Sequence, residues 1–293
     1  MLGAPPIATS VFAAMSQTDK ADRFRALHEG PGAFVIPNPW DIGTARILAG
    51  IGFEALATTS AGQAATLGRR DGEGAVTRDE ALAHARQIVD AVGLPVSADL
   101  ENGYGDAPEA VAETVRLAAG TGLVGCSIED ATGNASAPIY DFPLAVERIE
   151  AAVEAARSLP FAFMLTARAE NFLHRRRDID DTIRRLQAFE AAGADVLYAP
   201  GLANLETIRL VCASVTKPVN VVVGLASLKV SVEDLSEAGV RRISLGSTLS
   251  RTALGAVLRA ANEMKDHGTF EFAGAAATFA EINPFMTGRD TPE

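Results

Sequence analysis

The chain of 293 residues is long enough for one large domain, and its 48% hydrophobic and 22% charged residues provide for a sizeable core. A formal net charge of -11 and a pI near 4.9 exclude nucleic acids and anionic membranes as expected partners, because both require a basic protein surface. No apolar run reaches the ~20 residues of a membrane helix, and Cys126 and Cys212 lie far apart in apolar surroundings, which predicts reduced thiols in a cytoplasmic protein.

The beginning of the chain predicts an extension, a helix and a first strand–helix unit. Residues 1–16 have no basic residue before their apolar part and are interrupted by Pro5 and Pro6, so a flexible extension is expected. The spacing of Phe24 and Leu27 predicts a helix over 18–28. A strand over 33–37 follows, and Asp41 is expected to cap a helix that runs to about residue 50.

The same alternation of strand and helix then repeats. The strands are apolar throughout, which is typical of parallel strands buried on both faces. About eight units of ~25–35 residues favour an α/β fold of the TIM-type (β/α)8 barrel over an open doubly wound sheet, with the barrel domain over 17–266. Further strands are predicted at 54–60, 95–100, 124–130, 161–168, 195–199, 219–223 and 241–245, with helices over 78–92, 108–119, 141–157 and 179–191.

The last part of the chain predicts a long helix after Arg251 and a helical appendage over 267–293. The appendage carries Phe270, Phe272, Phe279 and Phe285, and a terminal segment has little core of its own. One interpretation is a docking surface for another subunit of a homodimer or homotetramer, with the segment exchanged between subunits. The other is that these rings pack over the bottom of the same barrel.

The stretch over 96–105 predicts a short buried strand followed by a glycine-rich turn. Asp99 and Glu101 stand two residues apart where the apolar run ends, so in an extended backbone both side chains leave the same face. Two carboxylates at one strand end can hold a hard divalent cation through oxygen atoms and waters. The alternative is an acidic, solvated turn.

Other polar residues also follow predicted strands, at the end where the loops of such barrels form the reactive face. Acids from consecutive strands can surround a magnesium ion that retains several waters, and the Arg168 guanidinium can hold a carboxylate or phosphate with a pair of hydrogen bonds. The alternatives are an ordinary ion pair of Glu129 with Arg168 and a core amide at Asn220. Of the four histidines, none has metal-ligand spacing, and His174 is the best placed for a chemical role. The set is Trp40, Asp41, Thr59, Ser60, Asp71, Asp99, Glu101, Glu129, Asp130, Arg168, Glu170 and Asn220.

Taken in order, these motifs resemble the phosphoenolpyruvate mutase and isocitrate lyase superfamily over about residues 34–246. The resemblance rests on the ordered set and on no single motif. The motifs of this set are Asn-Pro-Trp-Asp at 38–41, Thr-Thr-Ser-Ala-Gly at 58–62, Asp-Gly-Glu at 71–73, Asp-Leu-Glu-Asn-Gly-Tyr-Gly at 99–105, Ser-Ile-Glu-Asp at 127–130 and Thr-Ala-Arg at 166–168.

The resemblance implies a barrel that binds Mg²⁺, with Mn²⁺ as the alternative, and that stabilises a pyruvate-type enolate while a C–C or P–C bond breaks or forms. By the resemblance, Asp99 is the direct metal ligand and Arg168 binds the leaving or transferred group. The other implied roles are metal-bound water for Asp71, Glu101 and Glu129, and substrate carboxylate for Ser60, Ala61 and Gly62. Trp40 and Asn220 complete the candidate substrate-binding residues, and Arg168, Asp71 and Glu129 are the candidate catalytic residues.

The chain departs from the family's pattern in the loop after the glutamate strand. Residues 131–140 contain no cysteine, which disfavours an isocitrate-type lyase that uses cysteine as its acid. The loop also lacks the lysine of the mutases, and only Asn134 can stand in for their asparagine. Glu101 stands where the family more often has aspartate; the extra methylene moves the carboxylate by ~1.5 Å, which a contact through water absorbs.

We therefore expect a cytoplasmic Mg²⁺-dependent lyase or decarboxylase that cleaves a C–C bond of a small 2-oxo or 2-hydroxy dicarboxylic acid, of the oxaloacetate or substituted malate type. A phosphonopyruvate mutase or hydrolase is the first alternative. A barrel that binds a keto acid without turning it over is the second.

Overall fold

The computed structural model describes residues 15–224 and 229–286, so residues 1–14 of the extension predicted over 1–16 lie outside the described residues. The chain begins with helix α1 (Gln17–Glu29), which Ser16 caps by accepting a hydrogen bond from the Asp19 N–H. Strand β1 (Phe34–Ile36) and helix α2 (Ile42–Ile51) follow, and Asp41 caps α2 as predicted. The prediction for this part of the chain is confirmed to within one or two residues at each boundary.

The remaining elements alternate as the sequence predicted. The strands are β2 (Leu56–Ala57), β3 (Val96–Asp99), β4 (Gly125–Glu129), β5 (Met164–Arg168), β6 (Val196–Tyr198), β7 (Val219–Val222) and β8 (Arg242–Ser244). The helices are α3 (Ser60–Thr66), α4 (Arg78–Ala91), α5 (Pro108–Ala119), α6 (Phe142–Arg157), α7 (Ile179–Ala191), α8 (Leu205–Ala213), α9 (Val232–Glu237) and α10 (Thr248–His267). A 3-10 helix (Glu271–Ala275) and helix α11 (Phe279–Met286) end the described chain.

All paired strands are parallel, in the order β1-β8-β7-β6-β5-β4-β3-β2. The gap between β1 and β2 is bridged by one backbone hydrogen bond, from the Ala57 N–H to the Pro37 carbonyl at 3.1 Å. The sheet is thus a nearly closed barrel of eight strands, and the predicted TIM-type fold is confirmed. Helix α1 contributes Ala21 and Phe24 to a buried cluster with Val124, Met164 and Val196 at the opposite end from the polar strand ends.

Two predicted strands are longer than the structure shows. Strand β5, predicted over 161–168, begins at Met164. The sequence predicted strand over 54–60, but β2 ends at Ala57 and Ser60 begins α3. Strand β2 ends early because the Thr59 side chain accepts a hydrogen bond from the Gly62 N–H at 3.3 Å and caps helix α3.

The aromatic residues of the C-terminal appendage differ in their surroundings. Helix α11 packs on α2 on the outside of the barrel, where the Phe285 ring lies so close to Gly50 that a Cβ on this glycine would approach it to 2.5 Å. Arg46 also donates to the Met286 carbonyl at 3.0 Å. Phe270 and Phe279 are 66% and 83% exposed. The described part of the appendage therefore packs through α11 on a helix of the barrel wall, while part of its aromatic surface stays exposed.

Cys126 and Cys212 are both free thiols, the first buried and the second partly buried. Within the residues that the structure describes, no helix combines the length and apolar character needed to cross a membrane.

The seam of the barrel depends on Asn38. Its Nδ2 donates to the Thr58 carbonyl at 2.9 Å, and its Oδ1 accepts from the backbone N–H groups of Leu245 and Gly246 at 2.8 and 2.9 Å. One buried amide thus joins the ends of β1, β2 and β8 where the strand ladder is incomplete.

We expect Asn38→Ala to lower the free energy of unfolding by about 3 kcal/mol, because it leaves buried backbone groups without partners. Urea denaturation followed by circular dichroism measures this change. The control is Gln87→Ala, which removes an exposed amide on α4 and should change stability by less than about 0.5 kcal/mol. Equal effects of the two substitutions would show that Asn38 does not stabilise the seam.

Candidate active site

The candidate site lies at the carboxyl ends of β3, β4 and β5 and is centred on the Arg168 guanidinium. Arg168 is 12% exposed and pairs with three carboxylates. Its nitrogens lie 2.9 Å from Asp99, 3.0 Å from Glu129 and 2.8 Å from Glu170. The ion pair between Glu129 and Arg168 that the sequence suggested is therefore present, but it is one member of a larger cluster of charges.

Asp99 connects Arg168 to the start of α3. Its Oδ2 accepts from the Ser60 backbone N–H at 3.2 Å and from the Ser60 hydroxyl at 2.9 Å, while its Oδ1 accepts from Arg168. The Ser127 hydroxyl lies 3.4 Å from the same Oδ1. Ser60 thus binds Asp99 in this structure, and its predicted contact with a substrate carboxylate would require these bonds to rearrange.

Because α3 begins at Ser60, the surroundings of Ala61, Gly62 and Trp40 also differ from those expected. The Gly62 N–H is taken up by Thr59, and a Cβ on Gly62 would lie 2.9 Å from the Cβ of Trp40. Close packing therefore requires glycine here, whereas the resemblance had implied that this residue binds a substrate carboxylate. Trp40 packs against α3 and its carbonyl accepts from His84 at 2.8 Å, while Ser60 and Ala61 border the inner cavity.

Glu101 comes near Asp99 by a different route from the one predicted. Strand β3 ends at Asp99, and Glu101 has a φ of 47°, so the two side chains do not alternate along an extended backbone. The turn is left-handed at Glu101, Gly103 and Tyr104. Burial, and after it the charges of Asp99 and Asp71, raise the pKa of Glu101, so its carboxylate lies within electrostatic range of both acids.

Arg148 of α6 binds the backbone of this turn. This residue was not identified from the sequence as part of the site. This buried guanidinium donates to the carbonyls of Asn102, Gly105 and Asp106 and lies 4.1 Å from the centre of the Tyr140 ring. Three carbonyls bound to one cation fix the left-handed turn. Position 148 reads as an ordinary helix residue more than forty positions away, so no local signal marks it.

Repulsion between neighbouring carboxylates contributes to the raised pKa values at the site. Loss of hydration and the charge of Asp99 raise the pKa of Asp71, whose carboxylate borders the inner cavity although the residue stands on an exposed loop. Loss of hydration, Asp99 and Asp71 raise the pKa of Glu101 to about 7. Burial likewise raises the pKa of Glu129, against the favourable charge of Arg168. At the mouth of the barrel, negative charge therefore exceeds positive charge.

The predicted metal ligands fit a cation that keeps most of its waters. Asp71, Asp99, Glu101 and Glu129 offer hard oxygen donors, as Mg²⁺ prefers. Across 15–224 and 229–286, however, no three His, Cys, Asp or Glu side chains are arranged as a ready coordination shell. Arg168 binds Asp99 and Glu129, which accounts for this arrangement. One direct carboxylate ligand with water-mediated contacts to the others suits this donor set best.

Residues of the site line two cavities. The inner one, about 140 Å³, lies within the barrel between Asp99 and Arg168 at its mouth and Asn220 and Arg242 at its base. The outer one, about 590 Å³, is lined by Glu101, Glu129, Asn102, Tyr104 and the loops at 72–79 and 131–133. His174 lines the outer cavity, so the structure places the histidine singled out by the sequence beside the acids.

The remaining candidates have structural partners. Asp41 caps α2, and Asp130 pairs with Arg185 at 3.0 Å and accepts from the Glu170 N–H at 2.8 Å. Asn220 is buried, donates to the Ser244 hydroxyl at 3.0 Å and accepts from Arg242 at 2.8 Å. It is a hydrogen-bonded core amide and also a wall of the inner cavity.

Comparison with known proteins gives matches to a family model, to a solved structure and to curated relatives. The family model described as phosphoenolpyruvate phosphomutase matches residues 24–265. The crystal structure of a putative lyase/mutase from Burkholderia cenocepacia J2315 is 58% identical, covers 94% of this chain and 98% of its own, and superimposes with a TM-score of 0.90.

Two curated relatives carry names of reactions. A probable 2-methylisocitrate lyase of Corynebacterium glutamicum is 30% identical over 85% of this chain and 82% of its own length. An oxaloacetate decarboxylase of Bradyrhizobium diazoefficiens is 29% identical over 79% of this chain and 80% of its own length.

The raised pKa of Glu101 predicts a pH dependence of stability in the metal-free protein. In the unfolded chain this group ionises near its ordinary pKa of 4.5, whereas in the folded protein its pKa is about 7. The folded state therefore holds more protons between these values, and stability falls as the pH rises through them, by on the order of 2 kcal/mol for Glu101.

Urea denaturation from pH 4 to pH 8 in a chelator should show this fall, and Glu101→Gln should remove much of it. Glu109→Gln, at an exposed position on α5, should leave the slope unchanged. A Glu101→Gln protein with the slope of the wild type would contradict the assignment.

Proposed function

The chain belongs to the phosphoenolpyruvate mutase and isocitrate lyase superfamily, and from this premise we propose that it is a Mg²⁺-dependent lyase of small 2-oxo or 2-hydroxy dicarboxylic acids. Oxaloacetate and substituted malates are the proposed substrate type. The two relatives named above are a probable lyase and a decarboxylase of small acids, which supports C–C bond cleavage.

The observation that carries the proposal is the excess of carboxylates at the mouth of a small barrel cavity. Asp99, Glu129 and Glu170 pair with one guanidinium, and the pKa values of Asp71, Glu101 and Glu129 are raised by burial and by neighbouring carboxylates. Such a cluster is stabilised by a divalent cation. When bound there, Mg²⁺ supplies Lewis-acid stabilisation of the negative charge that develops on a keto acid.

The residues of the chain have separate tasks in this proposal. Asp99 holds the cation directly, and Asp71, Glu101 and Glu129 hold its waters. With Asp99 and Glu129 shared with a cation, the Arg168 guanidinium would be placed to bind a carboxylate of the substrate. The position of Arg168 at the end of β5, against the Tyr198 ring, limits its movement.

The narrow inner cavity also supports a small substrate. About 140 Å³ admits a short-chain acid, and the larger outer cavity provides access and room for a substituent. The loop over 131–140 has no cysteine, so the proposed reaction must proceed without a cysteine acid at that position. Decarboxylation meets this condition, since CO₂ leaves without a proton and the pyruvate enolate that remains can take its proton from water.

We expect Asp99→Ala to abolish the release of pyruvate from oxaloacetate in the presence of Mg²⁺, with a loss of at least about 1,000-fold in kcat/KM, because the direct cation ligand is removed. Titration calorimetry with oxalate, a mimic of the enolate, should show binding that requires Mg²⁺ and is lost in the variant. Asp90→Ala, at an exposed carboxylate on α4, should retain both properties.

The same assays separate the alternatives. Phosphate release from phosphonopyruvate without pyruvate release from oxaloacetate would replace the lyase by a phosphonopyruvate hydrolase. Oxalate binding with both substrates unchanged would indicate a keto-acid-binding barrel. The absence of oxalate binding in the wild type would contradict the enolate site itself.

We also propose that the protein is a homo-oligomer, through the exposed face of α10. This helix has 20 residues, of which Ser250 is the one buried member. Leu254, Val257, Leu258 and Met264 recur at helical spacing and are 42% to 64% exposed. A stripe of this kind on a long helix fits the same stripe or another apolar surface of a second copy.

We expect the double substitution Val257→Glu and Leu258→Glu to convert the assembly to monomers, because two charges would be buried in an apolar contact. Sedimentation velocity measures the change. Arg259→Glu changes the charge by the same amount on the same helix and should leave the assembly intact. A wild-type protein that sediments as a monomer would overturn the proposal.

A further inference from the structure

The base of the inner cavity contains a cation that the proposed function does not use. Arg242 stands at the start of β8, is 5% exposed and borders the inner cavity. The interior of a (β/α)8 barrel is ordinarily filled by apolar branched side chains. Here Ser97, Ser127, Asn220 and Ser244 also line the cavity, so its base is polar.

The acceptors around Arg242 are all neutral. Its Nε donates to Asn220 Oδ1 at 2.8 Å, and its Nη2 donates across the barrel to the Thr166 hydroxyl at 3.0 Å. The Nδ1 of His28 lies 2.8 Å from the Phe24 carbonyl and must carry the proton, which leaves Nε2 as an acceptor 3.5 Å from Nη1 of Arg242. Burial and the charge of Arg242 lower the pKa of His28 to about 3, so this imidazole stays neutral.

The charge of Arg242 is therefore not compensated by the protein. No carboxylate in the described part of the chain forms a salt bridge with it, whereas Arg168 has three. Burial lowers the pKa of Arg242 to about 10, which leaves the side chain protonated at pH 7. A buried charge without a counter-ion is costly, and a bound anion removes this cost.

The hydrogen bonds of Arg242 leave capacity for such an anion. A guanidinium has five N–H groups. In Arg242 three of them are engaged, because Nε, Nη1 and Nη2 each make one contact. The remaining N–H groups belong to Nη1 and Nη2, the pair that binds a carboxylate with two parallel hydrogen bonds. We propose that Arg242 is the anion-binding group of a subsite at the base of the inner cavity, which takes one carboxylate of a compact dicarboxylic acid.

The assignment of a dicarboxylic acid rests on the proposed function, because it places the other end of the molecule at Asp99 and Arg168. Both ends lie on the wall of one cavity of about 140 Å³. The subsite then selects for a second carboxylate in the substrate, and Arg242 is a specificity residue that does not touch the bond being broken. Asn220 and Thr166 orient its guanidinium.

Titration calorimetry in Mg²⁺ tests the subsite with two ligands. Malate has a carboxylate beyond the metal-binding end, and oxalate does not. Arg242→Met should raise the Kd of malate by about 30-fold and that of oxalate by less than 3-fold. Equal changes for the two ligands in a folded variant, or no change for malate, would overturn the proposal.

The neighbouring Arg241→Met is the matched control. Arg241 donates to the carbonyls of Gly30 and Gly32, so this variant also loses a guanidinium with structural contacts. Its affinity for malate should equal that of the wild type. If Arg242→Met does not fold, Arg242→Lys decides: this variant keeps the charge but loses the paired N–H groups, and should weaken malate more than oxalate. An unchanged ratio of the two affinities would count against the subsite.

A second measurement does not depend on the proposed reaction. Crystals of the wild type soaked in sodium bromide should show an anomalous peak within hydrogen-bond distance of the Arg242 guanidinium. A soaked crystal without this peak would overturn the subsite. Failure of oxalate to bind with Mg²⁺ would contradict the proposed function alone, and the bromide result would still decide whether Arg242 binds anions.

Discussion

The ion cluster around Arg168 is the constraint on which the rest of the site depends. One guanidinium at the end of β5 binds carboxylates from β3, from β4 and from the loop after β5. These strands are neighbours in the sheet, and β3 to β5 are in register over Asp99, Ser127 and Thr166. The barrel thus brings acids from three segments to a single cation, and the excess of negative charge makes this end of the molecule suited to a second cation.

The two buried arginines of the inner cavity stand in opposite electrostatic situations. Arg168 has more carboxylates than its charge requires, whereas Arg242 has neutral acceptors. The cavity between them therefore has an acidic mouth and a basic base. A molecule with a cation-bound end and a free carboxylate would match both ends, which is the arrangement expected for a complex of a divalent cation with a small dicarboxylic acid.

The surrounding framework fixes this site through buried polar groups. Asn38 joins β1, β2 and β8 at the seam, and Arg148 holds the carbonyls of the turn that carries Glu101. Both act through the backbone, where a rigid support positions the side chains of the site. The outer surface shows the reverse pattern on α10, where apolar side chains remain exposed although the barrel is complete.

The sequence by itself determined the order of the elements, the parallel barrel, the superfamily, and the acids and Arg168 at the strand ends. Each of these depends on local patterns: apolar runs, capping residues such as Asp41, and polar residues directly after strands. The tertiary structure decided what these residues contact. Ser60 begins a helix and binds Asp99, Glu101 is left-handed, and Arg148 and Arg242 reach the site from positions that look ordinary in sequence. The partners of a buried charge come from distant segments, so burial and pairing are properties of the folded barrel and not of any one stretch of the chain.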